Sequence, residues 1–277
     1  MITFPNAKIN FGLHVVEKRE DGYHNIETCF YPISLHDALE IVPASEFSFT
    51  QVGLSLNSSL SDNLVMKALN LYKKLYDVPT LSVYLKKAIP FGAGLGGGSA
   101  DAAFMLKLLN TYTSQNLHDD ELTKMAVEIG ADCPFFIKNK PIIASGIGNI
   151  FDSTDLLFGV ASSLRRTLPG YILYIIKPDI FVSTKEAYSS IIPAKPSIPL
   201  REILQMSVKE WKQYLTNDFE PVIFQKYPII AEIKAYLYAQ GAVYAAMSGS
   251  GSAVFGLFEN EVNISFPDCF IWKEIMK

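Results

Sequence analysis

Apolar and polar positions alternate loosely over residues 7–16, and the stretches 36–44 and 46–53 follow between turn signals, which predicts β-strands in the first part of the chain. Residues 80–90 alternate again, with Leu81, Val83 and Leu85 on one face, and lead directly into a glycine-rich loop. Residues 170–178 form a short apolar run typical of a buried strand. Residues 242–258 are consistent with two apolar strands around a second glycine turn.

A period near 3.6 residues predicts helices between these strands. The first is capped by Ser61 or Asp62, and its predicted buried face consists of Leu64, Ala68, Leu71, Tyr72 and Leu75. Further helices are predicted from Ser99 to about residue 110, from Asp120 to residue 129 before Gly130, and around residues 183–192, 208–215 and 229–241.

Strands and helices are mixed with turns typical of antiparallel pairs, so an α+β fold is favoured over a doubly wound parallel sheet. A variable stretch at residues 151–170 is the best connector between two halves. We therefore predict two domains, residues 1–152 and residues 153–277.

Composition narrows the classes of function. Of 277 residues 49% are hydrophobic and 19% charged, which is ample for a packed core. The net charge of −4, without a basic stripe, argues against a nucleic-acid partner. Three widely spaced cysteines and four scattered histidines argue against a disulfide framework and a tightly held metal. Neither a signal peptide nor a run of membrane-spanning length is present, so we expect a cytoplasmic protein without a membrane partner.

The stretch "PFGAGLGGGSADAA" places five glycines between residues 92 and 98, just before a predicted helix. Helix N-termini leave backbone N–H groups unpaired, and glycines let an anion approach them closely, so the loop is suited to a polyphosphate. A tightly packed structural loop is the alternative. A dinucleotide-binding motif is disfavoured, because no acidic residue follows at the end of a second strand, and a P-loop would need GK[ST].

Four other positions are candidates for chemistry. Lys8 lies among apolar residues, where a solvated lysine is not expected, and Asp132 lies between a helix stop and a predicted apolar strand. Each is equally consistent with an ordinary structural role. The "DGYH" turn presents Tyr23 and His24, which are either plain surface residues or a pair able to bind a planar base. The turn "SGSGSA" taken alone is an ordinary hairpin.

Taken together, these stretches resemble the GHMP kinase superfamily, named for galacto-, homoserine, mevalonate and phosphomevalonate kinases. "AKINFGLHVVEKREDGYHNIET", "SDNLVMKAL", "IPFGAGLGGGSADAA", "GADCPFF", "KPDIFVSTKEAY" and "MSGSGSAVFGLF" occur in the order typical of one branch of it, from residue 7 to residue 258. That branch phosphorylates a cytidyl-diphospho methylerythritol in non-mevalonate isoprenoid biosynthesis. The glycine motif alone indicates only the superfamily, whereas the combination is specific to the branch.

The resemblance implies an N-terminal α/β domain, a C-terminal ferredoxin-like α+β domain and an active site in the cleft between them. It implies ATP as co-substrate, with Mg²⁺, and transfer of the γ-phosphate to the 2-hydroxyl of the methylerythritol. The residues that it assigns to ATP are Asn63, Leu64, Pro90, Gly92, Ala93, Gly94, Leu95, Gly96, Gly97, Gly98, Ser99 and Ala100.

By the same resemblance Asp132 is the base on the acceptor hydroxyl. Lys8 keeps that carboxylate ionised and stabilises charge on the transferring group. Cytosine would lie between Tyr23 and Tyr188, with His24 at its edge. The residues assigned to the acceptor substrate are Asn10, Tyr23, His24, Thr184, Tyr188, Ser248, Gly249 and Gly251. Asp101, close to the start of the glycine helix, is interpreted as a first-turn acid or a magnesium ligand and is not assigned to a metal site.

Three rival functions remain open from the sequence. Another GHMP-type kinase, with a mevalonate-like or sugar acceptor, would have no need for the "DGYH" turn and Tyr188. A non-catalytic nucleotide-binding relative would be expected to lack Lys8, Asp132 or the glycine loop, and all are present. A nucleotide-dependent dehydrogenase is disfavoured by the position of the glycine motif. No obligate protein partner is predicted.

Overall fold

The computed structural model describes residues 1–54, 60–152 and 159–277, which divide into two units. Unit 1 consists of Met1–Lys8, Ser34–Phe91 and Gly96–Lys140, and unit 2 of Ile9–Ile33, Gly92–Leu95 and Pro141–Lys277. The chain thus passes from one unit to the other within the glycine loop. The boundary predicted after residue 152 stays a prediction, and residues 153–158 of the predicted connector lie outside the described part.

The described elements begin with five strands, which are followed by a mixture of helices and strands. The strands are β1 (Ile2–Thr3), β2 (Asn6–Lys18), β3 (His24–His36), β4 (Ala38–Pro43), β5 (Ser48–Gly53), β6 (Leu81–Lys87), β7 (Ile142–Ser145), β8 (Ile150–Phe151), β9 (Ile172–Pro178), β10 (Tyr244–Met247), β11 (Val254–Phe258) and β12 (Cys269–Ile275). The helices are α1 (Leu64–Leu75), α2 (Gly97–Tyr112), α3 (Asp119–Ile129), α4 (Cys133–Lys138), α5 (Val160–Thr167), α6 (Thr184–Tyr188), α7 (Leu200–Ile203), α8 (Val208–Tyr214), α9 (Glu220–Lys226) and α10 (Pro228–Ala239).

Unit 1 packs helices α1, α2, α3 and α4 with a sheet of strand order β1-β4-β6-β5. The pairing of β5 with β6 is parallel, and the other two pairings are antiparallel. Leu81, Val83 and Leu85 alternate as buried positions of β6, as the pattern predicted. Helix α2 contacts α1, α3 and α4, so the helix that follows the glycine loop lies at the centre of this unit.

Unit 2 contains an antiparallel sheet of order β10-β11-β9-β12, against which α10 packs. Renumbered from β9, this order is 2-3-1-4, which is that of a ferredoxin-like sheet. The connection from β11 to β12 carries no helix in the described chain. A second sheet of order β2-β3-β7-β8 contains most of the N-terminal strands of this unit. The α+β prediction is therefore confirmed.

Three local predictions are wrong. Asn63, not Ser61 or Asp62, caps α1, because its Oδ1 accepts a hydrogen bond from the Val65 N–H at 2.9 Å. The buried face of α1 includes the predicted Ala68 and Tyr72, but Val65 and Leu69 complete it, because α1 packs against α2 and α3. The predicted Leu75 is exposed. Asp132 is followed by helix α4 rather than a strand.

None of the helices in the described ranges combines the length and the apolar character that crossing a bilayer requires.

Candidate active site

Lys8 and Asp132 form an ion pair within unit 1. Strand β2 places Lys8 between buried Ala7 and Ile9, and Asp132 immediately precedes α4 without capping it through its side chain. Lys8 Nζ lies 3.6 Å from Asp132 Oδ2, and the two side chains are 3% and 36% exposed. Burial lowers the pKa of Lys8, while the Asp132 carboxylate opposes that change. The pair therefore places a buried cation next to a partly accessible carboxylate.

The start of α2 lies beside this pair. Gly96 occupies the N-cap position with φ +73°, and no side chain caps the helix. A Cβ built on Gly96 would lie 3.2 Å from Lys8 Cε, so the lysine stem runs along the first turn. The unpaired N–H groups of this turn and the lysine together favour an anion. The helix start predicted at Ser99 is two residues late, because the helix already begins at Gly97, after the left-handed Gly96.

Ser99 instead connects the first turn of α2 to α4. Its side chain is hydrogen-bonded to the thiol of Cys133, the residue next to Asp132. Burial raises the pKa of Cys133 to about 12, so the thiol is a packing group rather than a nucleophile. This contact fixes the residue after Asp132 against the predicted phosphate-binding turn.

The remaining positions assigned to ATP in unit 1 lie close to α2. Leu64, at the start of α1, has its Cδ1 3.6 Å from a Cβ built on Gly98, and Asn63 is the cap that orients α1. Pro90 and Ala100 are buried, as are Ala93 and Leu95 of unit 2. Because the side chains of these four residues are apolar and buried, the residues can contact a nucleotide only through their backbone groups.

In unit 2 the two glycine motifs of the sequence pack against each other. Ser248 Oγ donates to the Gly94 carbonyl at 2.9 Å. The Ser252 and Ala253 N–H groups donate to the carbonyls of Gly92 and Ala93, at 3.2 and 3.1 Å. The contact requires glycine, because a Cβ on Gly94, where φ is +76°, would overlap the Ser248 carbonyl. The "SGSGSA" turn therefore holds residues 92–94 of the predicted phosphate loop directly.

The aromatic residues assigned to the base are brought together in part. The rings of His24 and Tyr188 are stacked, with centroids 4.9 Å apart and an interplanar angle of 19°. Tyr23 is 62% exposed at the tip of the β2–β3 hairpin. Burial, with a smaller effect of Lys18, lowers the pKa of His24, which favours the neutral imidazole. In this arrangement His24, rather than Tyr23, covers the Tyr188 ring.

The other acceptor positions of unit 2 occupy two places. Buried Asn10 donates from Nδ2 to Thr28 Oγ1 at 2.9 Å, and Thr28 Oγ1 donates to the Gly12 carbonyl at 2.5 Å. Thr184 begins α6, and its Oγ1 lies 3.3 Å from Ser250 Oγ in the "SGSGSA" turn. Tyr188 ends the same short helix, so α6 links the turn to the aromatic pair.

Comparison with known proteins places this geometry in a family. Residues 63–140 match the family described as GHMP kinases N terminal domain, and residues 200–265 match GHMP kinases C terminal. A relative from Parabacteroides distasonis named 4-diphosphocytidyl-2-C-methyl-D-erythritol kinase is 54% identical over 277 residues, covering 99% of this chain and 98% of the relative. The chain belongs to the 4-diphosphocytidyl-2-C-methyl-D-erythritol kinase family. A Bacteroides fragilis relative of the same name is also 54% identical, covering 97% of this chain and 96% of the relative.

Solved structures agree with this 4-diphosphocytidyl-2-C-methyl-D-erythritol kinase assignment. The crystal structure of a 4-(cytidine 5'-diphospho)-2C-methyl-D-erythritol kinase aligns with a TM-score of 0.77 at 32% identity, over 93% of this chain and 90% of that one. The Methanococcus jannaschii mevalonate kinase aligns with a TM-score of 0.69 at 16% identity and supports the fold alone.

Membership in the 4-diphosphocytidyl-2-C-methyl-D-erythritol kinase family makes the chain a GHMP kinase that acts on a small molecule, with ATP as co-substrate. The cleft position of the site, the roles of individual residues, the cytoplasmic location and the lack of nucleic-acid, membrane or obligate protein partners stay predictions.

Sequence reasoning missed one buried charge cluster in this family member. Lys87 Nζ donates to Asp101 Oδ2 at 2.6 Å and also pairs with Asp37. Asp37 Oδ1 accepts the N–H groups of Ala88 and Ile89 at 2.6 and 2.9 Å. The signal available in sequence was a lysine on the inward side of an alternating strand, at the end that meets the glycine loop.

Asp101 is a deeply buried carboxylate of the cluster. It is 2% exposed, and its Oδ1 has no hydrogen-bond partner within the described ranges. Burial first, and then the negative charge of Asp37, raise the pKa of Asp101 to about 8, although Lys87 opposes the change. Lys87 Nζ also lies 3.4 Å from a Cβ built on Gly97, so the cluster packs against the first turn of α2.

Proposed function

We propose that the chain transfers the γ-phosphate of ATP to the 2-hydroxyl of 4-(cytidine 5'-diphospho)-2-C-methyl-D-erythritol, in non-mevalonate isoprenoid biosynthesis. The observation that carries the proposal is the Lys8–Asp132 pair at the start of α2, in a chain 54% identical to relatives that bear this kinase name. Phosphoryl transfer needs positive charge on the phosphates and a group that orients the attacking hydroxyl. The pair and the helix N-terminus supply both.

In the proposed reaction the acceptor oxygen forms a bond to the γ-phosphorus, while the bond from that phosphorus to the bridging oxygen breaks. ADP leaves with the electron pair. Asp132 orients the hydroxyl and takes up its proton, and the Lys8 ammonium balances negative charge on the transferring group. Asp132 is proposed to act chiefly through its position relative to the hydroxyl.

ATP binding is assigned to the residues from Asn63 to Ala100 named above, through the backbone of the glycine loop and the first turn of α2. Mg²⁺ is proposed to enter with ATP and to neutralise its phosphate oxygens. The described residues contain no group of three or more acidic, histidine or cysteine side chains arranged to hold a metal. Asp101 fits a metal ligand poorly, because Lys87 already occupies its carboxylate.

Recognition of the acceptor is assigned to unit 2. Tyr23 and Tyr188 are proposed to cover the faces of the cytosine, with His24 at its edge. A base on Tyr188 would have to replace the stacked His24 ring, so the proposal includes a rotation of His24 from the face to the edge.

The test measures ADP release from Mg-ATP with the cytidyl-diphospho methylerythritol and, in parallel, with mevalonate, homoserine and galactose. Turnover confined to the cytidyl acceptor supports the proposal. Asp132→Asn should abolish most of that turnover, whereas the matched change Asp120→Asn, at an exposed acid of α3, should leave it intact. Turnover with a different acceptor would preserve the kinase and refute the substrate.

A further inference from the structure

Asn217 lies between α8 and α9, is 3% exposed, and uses every hydrogen-bonding group of its amide. Its Nδ2 donates to the carbonyls of Met247 and Gly249, at 3.0 and 2.8 Å. Its Oδ1 accepts the N–H of Phe219 at 3.0 Å. An amide held by three bonds has one orientation, so it fixes the backbone at both ends of the segment from Met247 to Gly249.

The segment from Met247 to Gly249 and the turn after it are hydrogen-bonded to the predicted phosphate loop. Ser248, between the two carbonyls that Asn217 holds, donates to the Gly94 carbonyl. Beyond the turn, the N–H groups of Ser252 and Ala253 hold the carbonyls of Gly92 and Ala93. The conformation of the loop at residues 92–94 therefore depends on the turn, and the turn depends on Asn217.

Phe219, two residues further along, contacts a different part of unit 2. It is 1% exposed, and its ring meets the Tyr188 ring edge-on, with centroids 4.8 Å apart and an angle of 83°. His24 stacks on the same Tyr188 ring. Phe219 thus fixes the plane of the ring that is assigned to the acceptor.

We propose that Asn217 and Phe219 are positioning residues for different substrates: Asn217 for ATP, through the Ser248–Gly94 contact, and Phe219 for the acceptor, through Tyr188. This inference rests on the proposed function, since it uses the assignment of the glycine loop to ATP and of Tyr188 to the cytosine. The two side chains share one buried segment, so a purely structural role would affect both substrates alike.

The test compares Asn217→Asp with Phe219→Leu. The aspartate keeps the size of the side chain and the acceptor for the Phe219 N–H. It replaces the Nδ2 donor with a carboxylate oxygen, which repels the carbonyl oxygens of Met247 and Gly249 instead of donating to them. Binding of Mg²⁺ with a non-hydrolysable ATP analogue is measured by titration calorimetry without acceptor, and the acceptor KM is measured at saturating ATP.

Asn217→Asp is expected to raise the Kd of the analogue at least tenfold, which is a larger factor than its effect on the acceptor KM. Phe219→Leu is expected to raise the acceptor KM by the larger factor. A Kd within twofold of the wild type for Asn217→Asp, or an equal loss for both substrates in both variants, would overturn the inference.

Thermal unfolding of each variant shows whether it is folded at the assay temperature. If Asn217→Asp does not fold, Ser248→Ala tests the same connection, because it removes the bond to the Gly94 carbonyl alone. It must raise the Kd of the analogue by a larger factor than the acceptor KM, or the inference fails. A wild-type chain that binds no analogue would refute the kinase assignment itself, which separates that failure from one confined to Asn217.

Discussion

The Lys8–Asp132 pair predicts a measurable coupling between the two side chains. Asp132→Asn leaves the buried Lys8 ammonium without this counter-charge, so burial should lower the pKa of Lys8 further and the folded state should lose stability. Lys8→Met removes the cation and its cost of burial. In that background Asp132→Asn should change the free energy of unfolding little, so the two effects should be far from additive.

The separation of 3.6 Å sets the magnitude. At that distance two unit charges interact by about 1 kcal/mol in water and about 5 kcal/mol at an effective dielectric constant of 20. Lys8 is 3% exposed but Asp132 is 36% exposed, so solvent screens one side of the pair. We expect a coupling free energy of about 1–3 kcal/mol.

Urea unfolding of the wild type, both single variants and the double variant, at one pH and salt concentration, gives this coupling. The exposed pair Asp120 and Lys124 of α3 is the matched control, with an expected coupling below about 0.5 kcal/mol. A Lys8–Asp132 coupling free energy no larger than that of the control pair would show that the ion pair does not stabilise the folded protein. In the same variants, Asp132→Asn should lower kcat about 100-fold or more while ATP-analogue affinity changes less than threefold.

Three further predictions concern the surrounding residues. Gly94→Ala should weaken ATP-analogue binding tenfold or more in a calorimetric titration, because φ is +76° and the new Cβ meets the Ser248 carbonyl; unchanged affinity would contradict the predicted role of the loop. Tyr188→Leu should weaken acceptor binding by roughly 1–3 kcal/mol, the range for base–aromatic stacking, with ATP affinity unaffected. Folding raises the pKa of Asp101 from its usual value near 4 to about 8. Between those pH values the folded state therefore binds one proton more than the unfolded state. The free energy of unfolding should fall there as the pH rises, by up to about 1.4 kcal/mol per pH unit. Asp101→Asn should flatten that slope in urea titrations at pH 5, 6, 7 and 8, and an unchanged slope would assign it to other groups.

Much of the secondary structure and the candidate chemistry could be predicted from sequence, since both depend on local patterns. Alternation located β6, apolar runs around a glycine turn located the β10–β11 hairpin, and the glycine cluster located the start of α2 to within one turn. The buried face of α1 was predicted wrongly around Leu75, because the same apolar residues allow neighbouring registers of one helix and only its contact with α2 and α3 selects between them. The long strand β3 went unpredicted, because its polar residues interrupt the alternation.

By itself the sequence determined which residue types occur in which order, and this order was enough to indicate the family, the ATP loop and the candidate pair Lys8 and Asp132. Only the tertiary structure decided which distant groups meet. Lys87 pairs with Asp37 fifty residues away, and Asn217 holds a turn about thirty residues further along the chain. Such contacts leave no local periodicity, because they arise where a buried polar group must find a partner and the fold alone determines which partner is within reach.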